Sequence, residues 1–127
     1  MKKFLLCFVL LIVAALLCIY TVSFVSTTPL VTLAREVYCG TTKVDLDDPL
    51  SRYDLSGMYP DIANAEMDIT RLLVVHNGQH GYMYVVYSCS YTDRHDNVLN
   101  ESKMVFSKWE IDKEENTWYV TDIMEDP

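Results

Sequence analysis

ITRLLVVHNGQHGYMYVVYSCSY (residues 69–91) is the stretch that decides the fold. Ile69 to Val75 is β-branched and apolar, Tyr82 to Tyr91 is aromatic and apolar, and Asn77-Gly78 between them is the strongest short-range hairpin signal. A two-residue turn at Asn77-Gly78 predicts Leu72 opposite Met83 and Val74 opposite Gly81. Within the second run Met83, Val85, Tyr87, Cys89 and Tyr91 share one face, while Tyr82, Tyr84, Val86, Ser88 and Ser90 share the other. The second set drifts polar toward its end, so the first is the expected core face.

Downstream, Thr92 to Asn97 is a turn by composition, and Val98 to Asp112 is a third strand. Lys113 to Asn116 closes it onto a fourth strand, Thr117 to Met124. A four-residue loop there predicts Ile111 opposite Trp118, Trp109 opposite Val120 and Val105 opposite Met124 on the covered face, with the two tryptophans as neighbours. Ile69 to Met124 therefore reads as a four-stranded antiparallel meander.

Upstream, Pro29 to Cys39 carries Leu30, Leu33, Ala34 and Val37 at helical spacing, with Gly40 as the C-terminal cap. Thr28 before Pro29 reads as the N-cap of this amphipathic helix, which needs the sheet to lie on. The predicted class is α+β, one amphipathic helix packed on the meander. Residues 41–61 have no apolar period and contain Asp45, Asp47, Asp48 and Asp54, which predicts a long loop with at most one helical turn. Its acidic run lacks the glycine and the distal glutamate of a calcium loop.

At the amino terminus Lys2 and Lys3 precede Phe4 to Val25, 22 residues without a charge. As a helix that run spans roughly 33 Å, enough for a bilayer core of about 30 Å. The basic flank orients the rest of the chain outward. No small-x-small cleavage pair occurs between Thr21 and Thr28, so an uncleaved anchor is favoured over a cleaved signal peptide, and Leu17 before Cys18 weakens a lipoprotein reading. The predicted organisation is a membrane anchor over residues 1–27 and an extracytoplasmic domain over 28–127, secretion being the alternative.

The chain has 10 Lys plus Arg against 18 Asp plus Glu, and without Lys2 and Lys3 the net charge is −10. Such a surface repels phosphates, so nucleic acid is not an expected partner. The expected partners are the membrane, through the N-terminal helix, and a protein, peptide or envelope component. Cys39 and Cys89 are the cysteines outside the anchor, one ending the helix and the other on the expected core face. They form a candidate disulfide, with two buried thiols as the alternative. His76 and His80 flank the Asn77-Gly78 turn with no third metal ligand nearby and His95 lies in another turn, so His76 and His80 read as exposed turn residues. No nucleophile elbow, phosphate loop or paired-carboxylate motif is present, so no catalytic, cofactor-binding or metal residue is assigned.

One helix followed by a meander whose last hairpin reads Trp109-Glu110-Ile111, an acidic turn, then Trp118-Tyr119-Val120-Thr121-Asp122 resembles the cystatin-like and nuclear-transport-factor-like folds. It is most similar to small membrane-anchored or secreted members from Gram-positive bacteria. Cone-shaped members carry several helices before the sheet, whereas Pro29 to Met124 has room for one. The Gln-x-Val-x-Gly segment of cystatins is absent, and no functional residue of these families maps onto the chain. The expectation is a non-enzymatic binding module acting through the outward-facing Tyr82, Tyr84 and Tyr119. The alternative is a small-ligand binder or isomerase-like enzyme with a cavity between helix and sheet.

Overall fold

The structure, a computed structural model, describes residues 1–125. Helix α1 (Lys2–Ser26) buries none of its residues and is long and apolar enough to cross a membrane. Helix α2 (Thr28–Cys39) follows after the single residue Thr27. Strands β1 (Asn64–His76), β2 (His80–Thr92), β3 (Val98–Glu114) and β4 (Thr117–Glu125) form one antiparallel sheet in the order β1-β2-β3-β4. The fold is α+β, as the hydrophobic periods require.

Thr28 lies inside α2 rather than capping it. Thr27 separates the two helices with near-helical torsions, φ −94° and ψ −1°, and its side chain makes no capping bond to α2. Its buried hydroxyl donates back to the carbonyls of Phe24 at 2.9 Å and Ser23 at 3.3 Å. Pro29 has no N–H for the Val25 carbonyl four residues before it, and that carbonyl accepts from the Thr27 backbone N–H instead. The far end follows expectation, with Gly40 at φ +77° closing α2 in the left-handed conformation.

Leu30, Val31, Ala34, Val37 and Tyr38 form the buried face of α2. They lie against β1 and share one buried core with Met83, Val85, Tyr87, Cys89 and Tyr91 of β2, the face marked as core by its apolar alternation. Tyr38 stacks on Tyr91 at 4.3 Å between ring centroids and 12° between planes, and the Tyr91 hydroxyl donates to the Tyr38 carbonyl at 2.8 Å. Trp109 is fully buried, its indole N–H donating to Ser107 Oγ at 3.0 Å. The segment between α2 and β1 contains two short 3-10 turns, Pro49–Tyr53 and Ser56–Met58. The Asp48 carboxylate caps the first by accepting from the Leu50 N–H at 2.9 Å. Leu50 and Tyr53 are buried in the core, so this long loop plugs one side of the sheet that α2 leaves open.

Two registers differ from expectation. Across β1 and β2 the pairs are Val74 with Met83 and His76 with Gly81, and Leu72 is a bulge that is 52% exposed. The Asn77 carboxamide accepts from the N–H groups of Gln79 and His80, which lengthens the turn beyond Asn77-Gly78 and slides the pairing by two residues. Across β3 and β4 the pairs are Lys113 with Trp118 and Ile111 with Val120. The turn is only Glu115-Asn116, at φ 48° and 65°, the torsions of a type I′ hairpin. That shift is also by two, so Trp109, Ile111, Trp118 and Val120 keep their expected face. The tryptophans are not neighbours, since the Ile111–Val120 pair lies between them. A bulge at Thr121 then reverses the alternation, burying Ile123 in place of Met124.

Arg35 Nε donates to the Met67 carbonyl at 3.1 Å and Cys39 Sγ to Ala65 at 3.4 Å, so α2 runs antiparallel to β1. At its other end Arg71 lies over the Phe24 ring at 3.8 Å and donates to the Phe24 carbonyl and, at 3.1 Å, to Thr27 Oγ1. The turns at residues 77–79 and 115–116 therefore lie at the α1 end of the sheet, and the turn at 93–97 lies at the far end.

A side chain at Gly81 has no room, because a Cβ there would overlap the Val75 carbonyl oxygen and the His76 Cβ across the ladder. Gly81→Ala is expected to destabilise the domain by about 2 kcal/mol, the range for forcing a methyl into packed surroundings. Gly57→Ala, where a Cβ meets nothing within 4 Å, serves as the control. Urea unfolding followed by tryptophan fluorescence measures both, and equal midpoints would contradict the pairing of His76 with Gly81.

Candidate functional site

The candidate site is the sheet face that α2 does not cover. Antiparallel pairing brings its side chains into rows across the strands. One row is Val75, Tyr82, Glu110 and Asp122; the next is Leu73, Tyr84, Lys108 and Met124; a third is Thr70, Val86 and Phe106. Leu73, Val75, Tyr84, Phe106 and Met124 are exposed, Phe106 to 62%. Together they make an apolar band running from β1 to β4.

Of the three tyrosines marked by the sequence, Tyr82 and Tyr84 lie side by side on β2 within this band. Tyr119 is on the same face but beyond it, opposite Asp112. The Lys108 ammonium lies 4.1 Å from the Tyr82 ring centroid and 5.8 Å from that of Tyr84. A cation held over an aromatic face at an exposed position is stabilised by about 0.5–1 kcal/mol. Phe106, Leu73, Val75 and Met124 were missed. Phe106, Lys108 and Glu110 do alternate outward along β3, whereas the bulges at Leu72 and Thr121 hide the outward position of Leu73 and Met124.

The band is bordered by acid at both ends. Toward α1 lie Glu110, Asp112 and Asp122, with His80 against the first two, 3.5 Å from Glu110 Oε1 and hydrogen-bonded to Asp112. Toward the far end lie Glu66 and Asp68 on β1 and Glu101 on β3, the last paired with Lys103 at 3.2 Å. An open cleft of about 550 Å³ adjoins the band where β4 ends, lined by Arg52, Tyr84, Phe106, Ser107, Lys108 and Met124 among others. Behind it the Glu125 carboxylate accepts from the hydroxyls of Tyr53 at 2.9 Å and Tyr87 at 3.1 Å and pairs with Arg52 at 3.3 Å. Burial, then the neighbouring carboxylate, pushes both phenols well above the usual tyrosine range. The cluster is internally satisfied, and it fastens the 3-10 turn to the end of β4.

Cys39 and Cys89 are separate thiols here, Cys39 bonded to the Ala65 carbonyl and Cys89 buried. The buried Tyr38 hydroxyl lies by Cys89, and burial followed by that thiol pushes the phenol far up. Among the described residues no three His, Cys, Asp or Glu side chains gather as metal ligands. His76 is not the exposed turn residue expected. It is half-buried on the Trp118 ring, 4.5 Å between centroids, and its Nδ1 accepts from the Gly78 N–H at 3.0 Å.

The chain matches no protein-family model, no curated protein and no solved structure.

Burial, and then the Lys113 charge, holds the His76 imidazole below the usual histidine pKa of 6.5. The unfolded chain therefore binds this proton more readily than the folded one. The stability is fully present above pH 6.5 and is lost as pH falls through the depressed folded value. His76→Phe keeps a ring on Trp118 and cannot titrate, so its stability is expected to fall less than that of the parent over that acidic window. Urea midpoints across the pH range measure this, and parallel curves for the two proteins would contradict it.

Proposed function

We propose that the protein is a membrane-tethered, extracytoplasmic, non-enzymatic binding module that engages a polypeptide partner through the outer sheet face. The observation that carries this reading is the exposed band of Leu73, Val75, Tyr84, Phe106 and Met124, set on a rigid sheet whose opposite face is filled. A contiguous exposed apolar patch rimmed by polar groups is the usual signature of an interaction surface. The tether is α1, whose apolar length suits a single span and which joins α2 across one residue. Residues 28–127 form the exported domain in this reading, oriented by Lys2 and Lys3.

A catalytic cavity between helix and sheet receives less support. Tyr38, Tyr91 and Trp109 fill that space with stacked and buried rings, and the cleft described above opens on the surface.

The tether and the face are tested in one preparation. Full-length chain carrying a photoreactive phenylalanine analogue in place of Tyr84 is expected to stay with membranes after alkaline extraction and to crosslink a polypeptide. The same analogue at Arg94, in the far turn, is expected to crosslink none. A soluble product beginning near Thr27 would remove the tether, and equal crosslinking from both positions would remove the face.

Oxidation of the two separate thiols to a Cys39–Cys89 disulfide belongs to the same exported reading, because the bond would staple α2 to β2 outside the cytoplasm. Thiol alkylation without reductant, followed by peptide mass analysis of membrane-derived protein, is expected to show the two cysteine peptides joined. Complete alkylation of both would exclude the bond.

A further inference from the structure

The distribution of charge around the apolar band identifies the chemistry of what covers it. Carboxylates stand at both ends of the outer face, Glu110, Asp112 and Asp122 toward α1 and Glu66, Asp68 and Glu101 away from it. Against them are Lys103, already paired with Glu101, Lys108, held over the Tyr82 and Tyr84 rings, and His80, which lies against Glu110 and Asp112. A second copy of this chain, face to face, would bring carboxylates onto carboxylates and is disfavoured for that reason. An anionic lipid surface is disfavoured on the same ground.

The dimensions favour one kind of occupant. Four strands place β1 and β4 about 14 Å apart, and the three cross-strand rows that hold the apolar side chains extend about 13 Å along the strands. A helix of about ten residues is 15 Å long and presents an apolar stripe at i, i+3, i+4 and i+7. Lying across the strands, it would cover Leu73, Tyr84, Phe106 and Met124 with that stripe. Its flanks would then face the two acidic borders, so they must carry lysine or arginine. From this complementarity we infer that the outer face is the docking site for a basic amphipathic helix of a partner polypeptide. The inference rests on the binding-module reading and specifies its ligand.

Recognition of this kind combines apolar anchors seated on the band with cations that steer the approach and fix the orientation. The tyrosine rings and Phe106 supply the anchors. Glu110 and Asp122, adjacent to the band in one cross-strand row, supply the nearest carboxylates. Lys108 lies over Tyr82 and His80 against Glu110, and among the described residues Asp122 of that row has no ion-pair partner.

The test uses isotope-labelled full-length chain in phosphatidylcholine nanodiscs, with empty nanodiscs to subtract lipid partitioning. The probe is an 18-residue leucine–lysine peptide with leucine at helical spacing. Its comparators are a peptide of the same composition with the leucine stripe scrambled and a leucine–glutamate peptide with the stripe intact. The leucine–lysine peptide is expected to shift the amide resonances of Tyr84, Phe106 and Glu110, and to bind about tenfold or more tightly than either comparator. Phe106→Glu and, separately, Glu110→Lys are each expected to weaken binding by about tenfold while leaving the resonances of the buried residues in place. Two variants of opposite kind guard against a fold defect in one of them.

Equal binding of the scrambled or the acidic peptide would overturn the inference, as would shifts confined to the far turn or to α1. Unchanged affinity in both variants would do the same. If the peptide fails while Tyr84 still crosslinks a polypeptide, the binding face stands and the basic helix falls. If both fail, the binding-module reading falls with it.

Discussion

The structure depends on the seating of one twelve-residue helix against one face of a sheet. The contact is aromatic at its centre, where Tyr38 stacks flat on Tyr91 and receives a hydrogen bond at its carbonyl from the same partner. Burial of aliphatic residues around that stack contributes about 1.5–3 kcal/mol for each side chain removed from water. Without this helix the β1 side of the covered face would lie open to water. The buried Leu50 and Tyr53 of the connecting segment complete the cover, so a stretch that is irregular by sequence is part of the core.

A single covering helix has a second effect. An antiparallel sheet can face water on one side, and polar alternation normally marks that side. Here the uncovered side holds tyrosine, phenylalanine, leucine and methionine at its centre and carboxylates at its ends. The arrangement leaves apolar surface in water that a purely structural sheet would fill with polar residues, and this is the physical basis for a binding role. The near-continuous run of α1 into α2, fastened by Arg71 over Phe24, gives that face a defined orientation relative to the apolar helix.

The core face of β2 was legible because every second residue from Met83 to Tyr91 is apolar and each is buried. Both hairpins were legible as hairpins, and both registers were missed by two residues, because side chains and torsions at the turns set loop length. An error of two keeps every side chain on its face up to the next bulge. Tyr82, Tyr84 and Tyr119 were therefore correctly placed outward, while Leu72 was assigned inward and lies exposed.

Periodicity and composition alone determined the strand and helix order, the covered side of β2, the apolar N-terminal span and the acidity of the rest. These are local or additive properties of the chain, and no partner residue is needed to read them. Only the tertiary structure decided that Thr27 continues rather than breaks the helical path, that Leu50 and Tyr53 turn inward, and that His76 rests on Trp118. It also decided that bulges at Leu72 and Thr121 expose Leu73 and Met124 beside Tyr84 and Phe106. Each of these depends on which residue stands opposite which, and a bulge changes that pairing without changing any local preference.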